Sequence, residues 1–447
     1  MKGGGAMPGQ GSIQLPPLHE ERLENGVTVV VARRPGVPLV AVRIVISAGA
    51  SLDPPRGHGL ANLVAQVARR GTARRTGREI DDRIESLGSE LGAGSDEDAT
   101  YFGLSAPAEF LSELLDVVAD VATGPTFPAA EWRRIRRREV AGLAHVLDEP
   151  GAVADRAMID AVYRGHPYGH PTDGRARHIE ALHRADAVAF HRRWFAPAST
   201  TLVIVGAVDP EEALAQARRR LGRWRAAGGP APAIPAPPAV PRSVLVVDKG
   251  DVTQTQVRVA SPALARATRE YFPALVANAI FGGGFTSRLM EAVRVNRGLS
   301  YGVRSRFAMS RAAGIFFVAS FTKVETTAEL LQVVLDEAER FCAEGPSEEE
   351  LGRAQSYLAG LYPLSLETHD QVAEKLADVK LYGIPLDEIT GYRERVRAVT
   401  AEQCREIARR HFPLDRGVIV AVGPAKRVAP ALERFGPVSV VPARKTI

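Results

Sequence analysis

Cysteine is nearly absent from the chain: Cys342 and Cys404 are the two among 447 residues. Two are too few for a disulfide framework, and no C-x-x-C motif exists for redox or zinc chemistry. One bridge or two buried free thiols remain as readings. Lysine is scarce as well, 7 of the 57 basic residues. The net charge of +5 therefore rests on arginine, and over this length it is too small to point to nucleic acid. No apolar run approaches the roughly 20 residues that a membrane helix requires, which excludes a helical span. Residues 1–12 carry one positive charge and no apolar core, so they do not read as a signal peptide. The expectation is a cytoplasmic protein, or a periplasmic one if the start is truncated. A G-x-x-x-x-G-K-[ST] phosphate loop is also missing.

With 45% hydrophobic and 24% charged residues, the composition is that of a folded globular protein. The length suits two domains of about 200 residues each. Alternation and turn residues predict strands at 26–32 and 39–46, a hairpin from 88–93 and 99–106, and a buried strand at 201–205. Helical spacing predicts helices at 77–87, 108–122, 129–146, 151–163 and 185–194, and one starting from the Asp209-Pro210 cap. A Pro/Ala-rich tract, residues 228–242, interrupts this pattern as an extended linker. Beyond it the pattern restarts, with strands at 244–247, 255–261, 301–308, 314–320 and 417–422. Helices are predicted at 268–280, 287–296, 328–342, 348–361, 369–381 and 401–411, and Gly282-Gly283-Gly284 reads as a turn. Thr201-Leu202-Val203-Ile204-Val205-Gly206 parallels Gly417-Val418-Ile419-Val420-Ala421-Val422, each leading into an apolar-periodic helix, which points to a divergent duplication. The expected organisation is a disordered tail (1–20), an α+β domain (21–227), the linker (228–242) and a second α+β domain (243–447).

One stretch organises the rest. From Leu60 the apolar residues Leu60, Leu63, Val64 and Val67 recur at helical spacing, between Gly59 and Gly71-Thr72. Asn62 and Gln66 are one turn apart and share a face, with Ala65 beside them. This frame resembles the active-site helix of the M16 (pitrilysin-type) metallopeptidases, which reads roughly G-L-A-H-x-x-E-H-x-x-x-x-G-T. The two histidines hold zinc and the glutamate is the general base. Here Asn62, Ala65 and Gln66 stand at those positions. The family's third ligand is a Glu on a later helix, and the matching segment, Val140-Ala141-Gly142-Leu143, has Gly142 there. The resemblance extends through Leu23-Glu24-Asn25-Gly26, Asp148-Glu149-Pro150-Gly151, His166-Pro167-Tyr168-Gly169 and Gly284-Phe285-Thr286-Ser287-Arg288-Leu289.

The family also carries an Arg and a Tyr seven residues apart that contact the substrate backbone. Arg294 and Tyr301 match that register, and a guanidinium fork and a phenol suit the task chemically. On residue types alone, an Arg capping a helix and a Tyr filling a strand face would be the plainer reading. Gly282, Gly283 and Gly284 sit near the place of a glycine-rich substrate loop in the mitochondrial processing peptidase α subunit, but the run is much shorter here. The resemblance thus implies two homologous domains, each a mainly antiparallel sheet with helices packed on it, forming half of a clam-shell. It further implies a non-catalytic M16B-type subunit with no cofactor of its own, partnered by a paralogue that brings zinc, together binding and cleaving peptides. The edge near Ala93–Tyr101 would add a strand-like contact to the substrate. The alternative is a structural scaffold without substrate, like the core subunits of the respiratory cytochrome bc1 complex. Other signals carry less. The arginines of residues 133–138 read as a solvated helix face. His166 and His170 read as loop packing, and His58 as a turn residue rather than a replacement ligand.

Overall fold

Segments such as Leu39-Val40-Ala41-Val42-Arg43-Ile44-Val45-Ile46 are apolar at nearly every position, the pattern of a strand covered on both faces. The computed structural model describes residues 13–226, 228–229, 231–412 and 415–446, and it bears this out in both halves. The first half contains β1 (Leu18–Arg22), β2 (Thr28–Arg33), β3 (Leu39–Ile46), β4 (Gly92–Ser95), β5 (Thr100–Pro107) and β6 (Thr200–Gly206). Its helices are α1 (Leu60–Ala68), α2 (Gly77–Ser86), α3 (Leu111–Thr123), α4 (Ala129–His145), α5 (Pro150–Val162), α6 (Ala176–Ala181), α7 (Arg184–Trp194) and α8 (Pro210–Leu221). The second half contains β7 (Ser243–Asp248), β8 (Gln254–Ala263), β9 (Val303–Met309), β10 (Gly314–Lys323), β11 (Val418–Gly423) and β12 (Val438–Pro442). Between them run α9 (Tyr271–Asn278), α10 (Arg288–Met290), α11 (Thr327–Glu344), α12 (Glu348–Leu361), α13 (His369–Tyr382), α14 (Asp387–Thr390), α15 (Tyr392–Arg397), α16 (Ala401–His411) and α17 (Ala425–Leu432).

The two sheets share one plan. The first is ordered β1-β2-β6-β3-β5-β4 and the second β12-β7-β11-β8-β10-β9. β2 and β6 run parallel, as do β7 and β11, while β6-β3-β5-β4 and β11-β8-β10-β9 are antiparallel. The outermost strand differs: β1 comes from the start of the chain and lies antiparallel to β2, whereas β12 comes from its end and lies parallel to β7. β1 also corrects the expected tail of residues 1–20, since Leu18–Arg22 is sheet; residues 1–12 lie outside the described residues.

One face of each sheet is covered by its own half. Val29, Val31, Val42 and Ile44 pack with helix residues such as Leu63, Val67, Leu114 and Phe190, and Val257, Val259 and Phe316 pack with Phe281, Leu331 and Ile407. The opposite faces are exchanged. Helix α13 of the second half lays Val372, Ala373, Leu376 and Val379 on Val30, Ala41, Val203 and Val205 of the first sheet. Helix α5 of the first half lays Val153, Ala157, Met158 and Val162 on Val247, Ala260, Val418 and Val420 of the second. Each half therefore completes the other's core, and 21–227 and 243–447 do not pack as independent bodies.

Two hairpin tips meet at the junction. Asp98, 4% exposed, accepts a hydrogen bond from the Tyr168 hydroxyl at 2.6 Å and from the Arg311 backbone N–H at 2.7 Å. The same hydroxyl accepts from the Ala312 N–H at 3.2 Å. The Pro/Ala tract is tied to this body: the Pro235 carbonyl lies 2.8 Å from His166 Nε2, and Ile234 and Val240 pack against the α5 cluster. Cys342 and Cys404 are buried and unbridged. Among the described residues no helix is long and apolar enough to cross a membrane.

Candidate functional site

Helix α1 begins where Gly59 adopts φ 97°, a left-handed conformation that favours glycine, packed against the backbone of Asp173 and Gly174. The half-buried Asp53 carboxylate caps the helix from outside, accepting the N–H of Gly59 at 2.6 Å and of Ala61 at 2.8 Å. Burial pushes its pKa up to about 7 against those bonds. Leu60, Leu63, Val64 and Val67 are buried, as their spacing requires.

The other face carries the altered positions. Ala65 is fully buried, and Asn62 is half-buried without a side-chain hydrogen bond among the described residues. Gln66 donates through Nε2 to the Ala93 carbonyl of edge strand β4 at 3.0 Å. Gly142 lies on the exposed face of α4, and a Cβ there would meet open space. Zinc takes imidazole, thiolate or carboxylate ligands. Two amides, a methyl group and a bare glycine do not fit it, and Ala65 cannot take a proton. Among the described residues no group of three or more His, Cys, Asp or Glu is placed to hold a metal ion.

A histidine cluster stands just before α1. His58 stacks on His170 with ring centroids 3.9 Å apart, and His178 meets His58 edge-on at 4.6 Å. Rings stacked within 10° point their nitrogens side by side, not at a common point. Burial, then the neighbouring His170, His178, Arg175 and Arg177, drive the His58 pKa down to about 3. The sequence treated His58 and His170 separately and missed His178. Their union depends on the 166–174 loop folding back over α1, which no local pattern announces. His166 is apart from them, holding the Pro235 carbonyl.

In the second half, α9 runs into a π-helical segment, Ala279–Gly283, and α10 into another, Glu291–Val295. This replaces the expected glycine turn. Gly282 is buried where a Cβ would come within 2.8 Å of the Ser305 backbone nitrogen, and at Gly283 it would meet Asn278 Nδ2 at 2.6 Å. Close packing under β9 thus explains Gly282, whereas Gly283 is exposed with only Asn278 of α9 close to its Cβ position, and Gly284 is half-exposed. Arg294 is exposed, its guanidinium 4.9 Å from the centre of the Phe285 ring. Tyr301 lies outside β9, which starts at Val303 and not at residue 301, and its side chain is 83% exposed. It fills no strand face. Phe285 and Val295 are 75% and 73% exposed, so Arg294 and Tyr301 belong to a surface with solvent-facing apolar groups.

Gly298-Leu299-Ser300-Tyr301-Gly302 has the G-x-S-x-G spacing of a hydrolase nucleophile elbow, but that elbow turns from strand to helix and this one from helix to strand. Ser300 is buried and donates to the Gly302 carbonyl at 2.9 Å. It is a turn-bracing serine.

Comparison with known proteins finds similar chains along most of this one. Residues 28–175 match the family model described as insulinase (peptidase family M16), and residues 181–358 match the one described as peptidase M16 inactive domain. A Mycobacterium tuberculosis protein named an uncharacterised zinc protease is 26% identical over 414 residues, 91% of this chain and 94% of that protein. A Streptomyces coelicolor protein of the same description is 24% identical over 392 residues, 87% of this chain and 85% of its own. Among solved structures, a peptidase M16 inactive domain from Pseudomonas fluorescens superposes with a TM-score of 0.86 at 27% identity, covering 91% of this chain and 98% of that one. A protease from Helicobacter pylori shares the fold, with a TM-score of 0.85 at 18% identity over 92% of this chain and all of its own.

Proposed function

The chain belongs to the M16 peptidase family, and we propose that it is a non-catalytic, substrate-binding subunit that works with a zinc-bearing paralogue. One observation carries the reading: the active-site helix keeps its frame while every position that would bind zinc or take the proton has changed. Gln66 now serves structure, bracing β4. Asn62, Ala65, Gln66 and Gly142 supply neither ligands nor a base, so zinc and the hydrolytic step belong to the partner. This chain contributes half of a closed chamber, an expectation from family resemblance.

Its own part in the chemistry is positional. Arg294 is permanently charged and offers several donors, and the Tyr301 phenol can donate to a peptide carbonyl. Both project into solvent, where a substrate backbone can reach them. Holding the peptide in line with the partner's metal lowers the barrier by orientation. The glycine run has a packing explanation at Gly282, which leaves Gly283 and Gly284 as the members of that set open to a substrate. The scaffold alternative draws on Tyr357 and Leu361 of α12 and on Leu364, exposed apolar side chains at helical spacing that suit assembly in either reading.

The test is to co-purify this chain with its zinc-motif paralogue and measure peptide cleavage. Arg294→Ala is expected to cut kcat/KM by at least tenfold without dissociating the complex. Unchanged cleavage kinetics would remove the substrate role, and the absence of any such paralogue in the native complex would favour the scaffold.

A further inference from the structure

Strand β9 is the outer edge of the second sheet, the place that β4 holds in the first, and it pairs with β10 alone. Its residues alternate. Val303 and Ser305 are buried, while Arg304 and Arg306 are exposed on the opposite face. Nearby arginines are matched by acids: Arg258 by Asp155, Arg288 by Glu350, Arg297 by Glu329. Arg304 and Arg306 have no ion-pair or hydrogen-bond partner among the described residues. Their neighbours across β10 are Ala319 and Phe317, which carry no charge.

A cleft of about 480 Å³ runs beside Arg304, walled by Gly302, Arg304 and Phe321 on one side and by Glu149 and Gly151 at the start of α5 on the other. Of the acids that face it, Asp155 is tied to Arg258, which leaves Glu149 as the countercharge to Arg304; Arg306 lies beyond the cleft.

We propose that this edge selects extended peptides bearing acidic side chains at alternate positions, two of which pair with Arg304 and Arg306. A strand added to a sheet edge places residues i and i+2 on one face, opposite the matching residues of the edge strand. Directly opposed side chains lie roughly 5 Å apart at Cβ, within reach of a carboxylate–guanidinium pair. The spacing of the two arginines is therefore the spacing of a strand's side chains. Tyr301, two residues before β9, stands at the head of this track, so the acidic positions set which stretch of peptide meets Tyr301 and Arg294. A lysine in those positions would face an unpaired like charge.

The proposal rests on the peptide-binding reading above, and its test separates the two. Fluorescent decapeptides are titrated into the full chain at low salt: one with glutamates at two alternate positions, one with glutamines there, one with adjacent glutamates. The alternating peptide is expected to bind on the order of tenfold tighter than the glutamine peptide. The adjacent pair is expected to recover less than half of that advantage. Arg304→Gln with Arg306→Gln should abolish the difference and leave binding of the glutamine peptide intact, and Arg304→Glu with Arg306→Glu should turn the preference towards lysine. Arg294→Ala should weaken all three peptides alike. Equal binding of the acidic and neutral peptides, or a preference that survives the double glutamine variant, would overturn the specificity while leaving peptide binding in place. Adjacent acids binding as well as alternating ones would overturn the strand register. Failure of every peptide to bind would overturn both readings.

Discussion

Asp98 offers the most direct test of how the two halves are held. Its carboxylate is 4% exposed and takes one hydrogen bond from the Tyr168 hydroxyl and one from the Arg311 backbone, both at 2.7 Å or less. Hydrogen bonds to charged groups contribute about 1.5–3 kcal/mol each, and a buried donor left alone adds its own desolvation cost. Asp98→Asn keeps the shape but has a single acceptor oxygen, so one of the two donors must face an NH2 group. The expected loss is about 2–4 kcal/mol. Tyr168→Phe removes one donor and strands the Ala312 N–H, costing about 1–3 kcal/mol. With asparagine at position 98 the hydroxyl has less to lose, so the double variant should fall short of the sum by about 1–2 kcal/mol. Urea unfolding supplies the cycle, and hydrogen exchange at the Arg311 and Ala312 amides reads the contact locally. Additivity within about 0.5 kcal/mol, or exchange unchanged at both Arg311 and Ala312 in the double variant, would refute the clamp.

The buried groups and the exchanged helices carry further expected outcomes. His58, driven down to about 3, resists protonation when folded, whereas an unfolded imidazole titrates near 6.5. Its stabilising contribution is therefore full above pH 6.5 and is lost as the pH falls towards 3. Thermal unfolding of His58→Asn should show a flatter acid limb, and an unchanged limb would exonerate the cluster. Asp53, held up to about 7, works in the opposite sense, its contribution fading as the pH rises from 3.8 through 7, so Asp53→Asn separates the two groups. Leu376→Ala empties a site 1% exposed between α13 and the first sheet and should cost about 2–5 kcal/mol. A protease site placed at residues 231–233 should leave the cut halves co-eluting, because each covers the other's sheet; separation on a sizing column would count against the exchange. Gln66→Ala should speed amide exchange in β4 at a cost of about 0.5–1.5 kcal/mol, and unchanged exchange would show that the Ala93 bond does not brace the strand.

Local signals read well from the sequence. The α1 frame, the strand at Leu39–Ile46 and the capped starts of α8, α12 and α13 rest on periodicity and on residues within one turn of each other. Contacts across the chain did not. The apolar stripe of α13 says that the helix is buried, and nothing in it says that the covering sheet is the other half's. The edge strands β1 and β12 were missed because their outward residues are polar or exposed, which dilutes the alternation. The π-helical segments widen the turn, so the expected helix 268–280 gives way at residue 279 and the first glycine meant for a turn, Gly282, is packed beneath β9.

The lost zinc positions show the same boundary from the functional side. A missing ligand is legible in a sequence, because a helix puts residues one turn apart on one face and the residue types alone decide whether zinc can be held. What the replacement does is not legible. Gln66 bonds to a carbonyl 27 residues away, on a strand whose neighbour in the sheet is set by a hairpin. If Gln66 were only the residue left after a metal site decayed, its amide would be free to face water. It is instead bonded to the carbonyl of Ala93 on the edge strand β4, a contact that an imidazole at the end of a zinc bond would not make.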